Sequence, residues 1–268
     1  MEKRGMETTI KSQVGKASAR LSPREHYSLE EWQVRVNLAA TYRIADYHGM
    51  TDLVFTHITA KVPGPQEHFL INPYKTLFSE VTASNLVKID LDGNIVEPTS
   101  YEVNATGFVI HSAIHRARPD LHCVWHSHAK AGIAVSMQKG GLLPASQYAM
   151  PFFNRLGYHA YEGLALDLDE QKRLQTNLGK HQAMILRNHG LITCGRTIPE
   201  AVAMMLLLDK ACQVQIAAQA GGAELVVPPP EVCEHTAQQF ERMRGHEEDL
   251  EWPPLLRLVA DQEADYAR

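Results

Sequence analysis

The histidines at positions 126 and 128 are the residues whose type and spacing point most directly to chemistry. They fall in the stretch Val124 to His128, which reads as a β-strand. Side chains alternate between the two faces of a strand, so both imidazoles are expected to point the same way. Neutral imidazole nitrogen is a ligand for Zn, Fe, Cu or Ni. The spacing predicts half of a metal site, although a packed histidine pair is an equally good interpretation of this pattern alone.

A third ligand has to come from elsewhere in the chain, and His189 is the candidate. It follows the short apolar strand Ala183 to Leu186 and lies between Asn188 and Gly190, in a connection that can hold an imidazole at the edge of a sheet. Three protein ligands leave positions open for water or substrate, which is the arrangement of catalytic rather than structural zinc sites. Spacing alone supports this set weakly, and the packed alternative stays open at this point.

Capping residues and apolar periodicity predict helices before and after the strand Val124 to His128 in the sequence. Ser28 with Glu31 forms a capping box at the start of a helix whose apolar stripe runs to Ile44 and which ends at His48-Gly49. Thr197 with Glu200 forms another, at the start of a long apolar helix that ends near position 220. Shorter helices are predicted over residues 107–118, 129–137, 169–178 and 231–244.

Strands are predicted where apolar residues alternate or form short runs between turn residues. The segments are 53–62, 68–72, 87–91, 94–96, 124–128, 183–186 and 191–194. Asp92-Gly93 is a good signal for a β-hairpin between the third and fourth of them. This mixture predicts an α/β protein of the three-layer α/β/α sandwich type, with helices on both faces of a mainly antiparallel central sheet.

Composition limits the class of protein. The 268 residues are 44% hydrophobic and 21% charged, which is enough to bury a large core. With a formal net charge of −5 and no dense run of Lys or Arg, no nucleic-acid or membrane partner is predicted. No long apolar run or signal-like start is present, so the expected location is cytoplasmic. The four cysteines are too widely spaced for a zinc ribbon or a disulfide scaffold, so we expect free thiols.

Three segments are expected along the chain. Residues 1–26 lack periodicity and predict a flexible N-terminal arm. Residues 27–227 form the main domain, and a triple proline separates it from a C-terminal tail, residues 228–268, that packs on or near the domain. The tail is expected to hold one short helix and to become irregular around Trp252.

An ordered set of motifs connects the three histidines. It consists of Leu70-Ile71-Asn72-Pro73, Arg118-Pro119-Asp120 before the His-x-His strand, Pro144-Ala145-Ser146-Gln147-Tyr148, and Asn188-His189-Gly190-Leu191 before a long helix. From Glu30 to Ala220 the chain resembles the class II aldolase/adducin family, which includes L-fuculose-phosphate aldolase and L-ribulose-5-phosphate 4-epimerase. The resemblance implies that family's sandwich fold and one divalent metal ion, zinc first with manganese or iron as alternatives. The ligands would be His126, His128 and His189.

The resemblance also implies a tyrosine that acts across a subunit boundary. Tyr148 matches the residue that, in the aldolases of this family, reaches the metal site of a neighbouring subunit and takes part in proton transfer. A phenol with an ordinary pKa of about 10 acts as an acid toward an enolate. Shared active sites in a homo-oligomer, by analogy a tetramer, are therefore expected. A half-buried aromatic residue at a turn is the alternative interpretation of Tyr148.

The sequence departs from the phosphosugar aldolases at two places. Those enzymes carry Ser-Ser-Glu at the start of the helix before the His-x-His strand. This chain has Ala105, Thr106 and Gly107 there, so the proton-transferring carboxylate is missing. The residues that cradle phosphate in those enzymes correspond here to Thr56-His57 and Tyr74-Lys75. An imidazole, a phenol and an ammonium group have replaced small residues that expose backbone N–H groups to phosphate.

These departures change the expected substrate and reaction. A lysine and a histidine near a metal suit a carboxylate, so Tyr74, Lys75 and Thr106 are predicted to bind a small carboxylic or carbonyl substrate. His57 or Tyr148 is predicted to donate the proton. The expected function is a divalent-metal-dependent lyase that cleaves a C–C bond, by decarboxylation or retro-aldol cleavage. The alternatives are a non-haem Fe(II) oxygenase on the same fold and a non-catalytic interaction module like the adducin head domain.

Three further residues have less specific interpretations. His111 and His115 lie one helical turn apart and can form a second metal pair, but a packed role, or one behind the metal ligands, is the preferred interpretation. Glu102 is a candidate substitute for the missing carboxylate. An exposed loop glutamate is the preferred interpretation of that residue.

Overall fold

A seven-stranded sheet lies at the centre of the molecule. A computed structural model describes residues 23–163 and 168–268. The strands are β1 His57–Lys61, β2 His68–Ile71, β3 Val87–Asp90, β4 Cys123–Ser127, β5 Leu156–His159, β6 Ala183–Leu186 and β7 Gly190–Gly195. Their order in the sheet is β3-β2-β1-β4-β7-β6-β5. All neighbours are antiparallel except β5 and β6, which are parallel. The predicted mainly antiparallel sheet is confirmed.

Helices cover both faces of this sheet. They are α1 Leu29–Tyr47, α2 Ala105–Ala117, α3 Lys130–Ser136, α4 Leu168–Leu178, α5 Ile198–Gln219, α6 Pro230–Met243, α7 Glu247–Leu250, α8 Trp252–Leu258 and α9 Glu263–Tyr266. Short 3-10 helices are formed by Pro23–His26, Phe78–Glu80, Met150–Phe152 and Ala260–Gln262. The core on one face contains residues of α1, α3 and α5, and the core on the other contains residues of α2 and α4. The predicted three-layer α/β/α sandwich is therefore confirmed.

Alternation along the strands decides which layer each side chain enters. Trp125 of β4 and Ile58 of β1 belong to the core under α1 and α5, whereas Val124 belongs to the core under α2 and α4. His126 follows Val124 by two residues and so lies on the α2 face. His57 is the register partner of His126 on the neighbouring antiparallel strand, and directly opposed residues share a face. The α2 face of the sheet therefore carries both histidines.

Several elements differ from the sequence prediction. Strand Leu156–His159 has no counterpart among the predicted strands, because its glycine and histidine interrupt the apolar pattern and it is held by parallel pairing with β6. The second arm of the predicted hairpin, residues 94–96, is reduced to one bridge between Ile89 and Ile95. The tail around Trp252, predicted to be irregular, is the start of α8. Prolines are accommodated in the first turn of a helix, where their missing N–H has no intrahelical partner.

The ends of the chain differ in how much of them is described. Residues 1–22 of the predicted flexible arm lie outside the described residues, as do residues 164–167. At the other end, the backbone N–H of Ala83 donates to the carbonyl oxygen of Tyr266 at 2.7 Å. The buried guanidinium of Arg43 in α1 pairs with the carboxylate of Asp265 at 2.8 Å. The C-terminal segment is thus attached to α1 and to the connection after β2.

Helix α5 is the long apolar helix that the second capping box predicts. Thr197 accepts a hydrogen bond from the backbone N–H of Glu200 at 3.3 Å, and at α1 Ser28 accepts one from Glu31 at 3.1 Å. Both predicted helix starts are confirmed. By length and composition α5 is able to cross a membrane, but half of its most apolar window is buried inside the molecule. This combination is also typical of a core helix.

Tyr42 links α1 to the strands beside the site through a buried hydroxyl group. Its oxygen accepts hydrogen bonds from the backbone N–H groups of Ile58 at 3.0 Å and Asn72 at 3.2 Å. Tyr42→Phe removes this acceptor, so we expect the free energy of unfolding in urea to fall by about 1–3 kcal/mol. Tyr101→Phe, at an exposed tyrosine, is the control and should change it by less than about 0.5 kcal/mol. Equal effects of the two changes would rule out this role for Tyr42.

Candidate metal centre

Three histidine side chains converge where β4 ends and β6 turns into β7. His126 lies in β4, His128 follows the last residue of that strand, and His189 lies in the turn before β7. The Nε2 atom of His128 is 3.0 Å from that of His126 and 3.0 Å from that of His189. All three atoms lie within 4.8 Å of one another. The structure thus brings together the three residues that were predicted as one ligand set.

The backbone around the Asn-His-Gly motif makes this convergence possible. Asn188 has a φ of +58°, in the left-handed region that asparagine tolerates, and it turns the chain so that His189 faces β4. Gly190 begins β7, where a Cβ would strike the carbonyl oxygen of Ser127 and lie 3.3 Å from Cδ2 of His128. The glycine therefore permits a close approach of two backbones directly behind the ligands.

The hydrogen bonds behind the imidazoles test whether this set suits a metal ion. Nδ1 of His126 donates to the carbonyl oxygen of Leu191 at 3.1 Å, and Nδ1 of His128 donates to the carboxylate of Asp52 at 2.7 Å. A neutral imidazole carries one proton, so both Nε2 atoms present lone pairs although they are 3.0 Å apart. Two lone pairs at this distance repel each other unless a cation lies between them. The donor set therefore fits a divalent ion held by the three histidines.

Asp52 is a functional candidate with no signal of its own in the sequence. It lies in the irregular segment between α1 and β1, and 76 positions separate it from His128. A carboxylate that accepts the second ring proton of a ligating histidine fixes the tautomer and orientation of that ring. No periodicity or spacing marks such a residue, because the contact forms only when the two segments fold together.

Asp52→Asn is expected to weaken metal binding by roughly 10- to 100-fold while all three ligands remain. The amide keeps the shape of the side chain but loses the charge that holds the Nδ1 proton of His128. Competition with a chromophoric chelator measures the Kd. Asp46→Asn, at an exposed aspartate in the last turn of α1, provides the control, and an unchanged Kd in the Asp52 variant would refute its orienting role.

His57 occupies the space that a side chain at position 107 would need. The ring centroids of His57 and His126 are 5.2 Å apart, and His57 is 2% exposed. A Cβ on Gly107 would lie 2.7 Å from Cδ2 and 2.9 Å from Nε2 of the His57 ring. The imidazole and a side chain at 107 therefore exclude each other. The two departures that the resemblance implies at positions 57 and 107 are therefore sterically linked.

A line of buried polar groups continues behind His57. Its Nδ1 is 2.8 Å from Nε2 of His111, whose own Nδ1 is 2.6 Å from the hydroxyl of Thr59. The same hydroxyl is 2.8 Å from Nε2 of His115. Nδ1 of His115 donates to the carbonyl oxygen of Leu121 at 3.2 Å. The two α2 histidines are joined through Thr59, which agrees with the preferred interpretation of this pair as hydrogen-bonded residues behind the metal ligands.

Of the residues predicted to bind substrate, Tyr74 and Lys75 lie at or near the surface, and only the backbone of Thr106 is described. Lys75 is exposed, and its ammonium group donates to the carboxylate of Glu102 at 2.9 Å, which raises the pKa of Lys75. Tyr74 is half-buried, with the Lys75 nitrogen 5.5 Å from its ring centroid. Glu102 is exposed, as the preferred interpretation expected. The backbone of Thr106 lies in α2, and its side chain is outside the described part. Substrate binding by Tyr74, Lys75 and Thr106 stays a prediction.

Tyr148 lies away from the three histidines of its own chain, in the connection between α3 and β5. Its side chain is 43% exposed. It lines a groove whose walls include Met204 and Leu207 of α5 and Phe240 of α6. A direct contact between Tyr148 and the histidines does not occur among the described residues of this chain. Its proposed role would therefore have to be performed at the site of another subunit.

Burial lowers the pKa values of five histidines in this region and so favours their neutral form. It lowers the pKa values of His57, His111 and His126 well below the usual 6.5, and neighbouring imidazoles act in the same direction. Burial lowers the pKa of His115 to about 3 and that of His189 to about 4. Neutral imidazole is the form that binds a metal ion, so these shifts keep His126 and His189 in that form in mildly acidic solution.

In the metal-free protein the same shifts predict a loss of stability on acidification. The unfolded chain takes up protons on its histidines as pH falls through about 6.5, whereas folded His189 has a pKa of about 4. Between these values the free energy of unfolding falls by up to about 1.4 kcal/mol per pH unit for each such histidine. His189→Asn should reduce the slope by that amount, measured by urea unfolding with a chelator present. A slope equal to that of the wild type would show that His189 is not held neutral.

Comparison with known proteins defines the class to which this fold and site belong. Residues 36–216 match the family model described as Class II Aldolase and Adducin N-terminal domain. The chain therefore belongs to the class II aldolase/adducin family. The family assignment drawn from the ordered motifs is confirmed.

Individual relatives represent both kinds of protein in the family name. An aldolase II superfamily protein from Pseudomonas syringae is 50% identical, with a TM-score of 0.88 over 91% of this chain and 99% of that chain. L-fuculose 1-phosphate aldolase from Glaciozyma antarctica PI12 is 28% identical, with a TM-score of 0.78 over 94% of this chain and 97% of that chain. Alpha-adducin of Rattus norvegicus is 46% identical over 206 residues, which cover 75% of this chain and 28% of the adducin.

Proposed function

We propose that this protein is a divalent-metal-dependent lyase that cleaves a C–C bond in a small hydroxy, oxo or aromatic carboxylic acid. The observation that carries the proposal is the convergence of three imidazole nitrogens beside a buried fourth histidine, His57. His126, His128 and His189 would hold the ion, with zinc proposed first and manganese or iron as alternatives. When bound, such an ion supplies Lewis-acid chemistry toward a carbonyl or carboxylate oxygen.

Proton transfer is assigned to His57 and Tyr148. His57 lies beside His126 and takes the place of the carboxylate that position 107 lacks, so its Nε2 atom is the proposed site of proton exchange with the substrate. Tyr148 would act as the donor at the site of a neighbouring subunit in a homo-oligomer, by analogy a tetramer. Its partial exposure supports this assignment. Lys75 with Tyr74 and Thr106 would orient the substrate carboxylate.

Metal analysis combined with turnover tests this function. Protein purified without chelator is expected to carry zinc or manganese and to release CO₂ or an aldehyde fragment from a small hydroxylated acid. His57→Gln and Tyr148→Phe should each lower kcat by about 10²- to 10⁴-fold, because proton transfer is lost, while metal content stays unchanged. Tyr101→Phe serves as the control at an exposed tyrosine. Wild-type rates in both variants would exclude the proposed roles.

The identity of metal and substrate separates the alternatives. Bound iron together with O₂ consumption would identify the oxygenase instead of the lyase. Efficient turnover of L-fuculose 1-phosphate would contradict the argument from the missing carboxylate and the altered phosphate cradle.

A non-catalytic interaction module is the second candidate, favoured by the 46% identity with rat alpha-adducin over 206 residues. A module that only binds a partner has no need for an open ligand set, whereas this chain keeps all three imidazoles and the carboxylate behind one of them. The lyase is therefore preferred. Metal-free protein from a chelator-free preparation, with stability and ligand binding insensitive to His126→Ala, would reverse that preference.

A further inference from the structure

The buried groups behind His57 allow one arrangement of their protons. The carbonyl oxygen of Leu121 only accepts, so the proton of neutral His115 is on Nδ1 and its Nε2 carries a lone pair. Within the described parts of the chain, the hydroxyl proton of Thr59 is the one donor in reach of that lone pair. The carbonyl oxygen of Leu121 therefore fixes which group donates and which accepts in the first two hydrogen bonds of the line.

The same reasoning continues to the end of the line. The single proton of the Thr59 hydroxyl is used on His115, so its oxygen must accept from Nδ1 of His111. Neutral His111 then has a lone pair on Nε2, which accepts the Nδ1 proton of His57. The lone pair of His57 is left on Nε2, the atom that lies next to position 107. A backbone carbonyl in the connection before β4 thus determines a tautomer at the candidate metal centre.

Burial makes this arrangement hard to change. The side chains of His57, Thr59, His111 and His115 belong to residues that are only 1% to 3% exposed. Reversing any one hydrogen bond would set two donors or two acceptors against each other without water to compensate, which is costly in a low-dielectric interior. Phe69 of β2 stacks on His115 with ring centroids 4.1 Å apart and limits rotation of that ring.

We propose that His111, Thr59 and His115 are positioning residues that hold His57 in its Nδ1–H tautomer, so that Nε2 acts as a proton acceptor at the candidate metal centre. The inference rests on the proposed lyase function and adds the direction in which the first proton moves. His57 takes the first proton from the substrate, and Tyr148 of the partner subunit is left as the donor. Of the two residues that the sequence predicted as proton donors, His57 and Tyr148, only Tyr148 keeps that role.

This direction defines the substrate class as a small β-hydroxy acid or β-hydroxy carbonyl compound. The C–C bond that breaks joins the hydroxyl-bearing carbon to a carbon next to the carbonyl or carboxyl group, so that the second fragment can leave as an enolate. The hydroxyl proton moves to Nε2 of His57, and the electron pair of that O–H bond forms a new carbonyl group. The pair of the broken C–C bond remains on the other fragment as an enolate, which takes a proton from the phenol. Exchange with water then removes one proton from His57 and returns one to the phenolate.

The tautomers can be read directly in metal-free protein labelled with ¹⁵N-histidine, by magic-angle-spinning NMR. His57→Gln assigns the His57 signals by their absence. We expect wild-type His57 to be protonated at Nδ1 and unprotonated at Nε2. Thr59→Val removes the hydroxyl at nearly constant shape, so His57 should become a mixture of the two tautomers. Thr59→Ser keeps a hydroxyl and should restore the single tautomer.

Two results would overturn the inference: wild-type His57 protonated at Nε2, or a single unchanged tautomer in Thr59→Val. His115→Phe interrupts the same line beyond Thr59 and gives a second readout if the valine variant does not fold. Where a turnover assay exists, kcat should fall in proportion to the fraction of His57 protonated at Nε2, with KM unchanged. If the tautomers are as expected but the protein has no lyase activity, the proposed function is refuted and the positioning role of the three residues still holds.

Discussion

His126→Ala is expected to yield folded protein that contains almost no bound metal and has no measurable lyase turnover. His126 is the most buried of the three proposed ligands, and its removal leaves two imidazoles on the more exposed side of the site. Loss of a residue behind a ligand costs roughly 10- to 100-fold in metal affinity, and loss of a ligand itself should cost more. Elemental analysis of chelator-free preparations measures the metal content per subunit.

The matched control for this variant is His122→Ala. His122 is an exposed histidine just before the same strand, so the change is chemically identical but lies outside the ligand set. It should leave metal content and turnover at wild-type values. Equal metal content in the two variants would mean that His126 is not a ligand. Circular dichroism and thermal unfolding of both variants exclude loss of fold as the cause of metal loss.

Gly107→Ala is expected to lower the free energy of unfolding by about 1–3 kcal/mol, the usual cost of overpacking a buried site. The added methyl group would lie 2.7 Å from Cδ2 of His57. That ring is buried and lies between His126 and His111, with ring centroids 5.2 Å and 4.7 Å away, so it can move little to make room. Urea unfolding of metal-free protein measures the change.

The combined variant separates a steric cause from a helix effect. With His57→Ala already present, Gly107→Ala meets no ring and gains helix propensity, so it should be neutral or stabilise by up to about 1 kcal/mol. The effect of one substitution thus changes sign with the other, which a double-mutant cycle detects. Gly221→Ala is the control, because a Cβ there meets nothing within 4 Å. Additive effects at 57 and 107 would show that the two positions do not share one space.

The steric link between these positions has a functional consequence. A glutamate at 107 cannot be restored by Gly107→Glu alone, since the imidazole fills its place. His57 is in turn hydrogen-bonded to His111 of α2. The proposed site is therefore a consistent alternative to the phosphosugar aldolase arrangement, with the proposed base, His57, in the sheet instead of on the helix.

The sequence by itself determined the parts of the protein that depend on local patterns. Each of these patterns is contained within a few consecutive residues, so it can be recognised in the sequence. They are the two histidines at i and i+2 in an apolar run, the capping boxes at Ser28 and Thr197, and the Asn-His-Gly connection. The ordered motifs were enough to establish the family, whose sandwich fold agrees with the one that the mixture of strands and helices predicts. The strand Leu156–His159 was missed because its stability comes from pairing with β6 and not from its own alternation.

Only the tertiary structure decided how the site is completed. Asp52 reaches His128 across 76 positions, and Leu121 sets the protons of a line that ends at His57. Position 107 appeared in the sequence as a lost carboxylate, but packing shows that its space is filled from another strand. Hydrogen bonds and steric exclusion between distant segments change when the distance between the atoms changes by a few tenths of an ångström. Such distances are set by the packing of α2 on the sheet, which no spacing along the chain encodes.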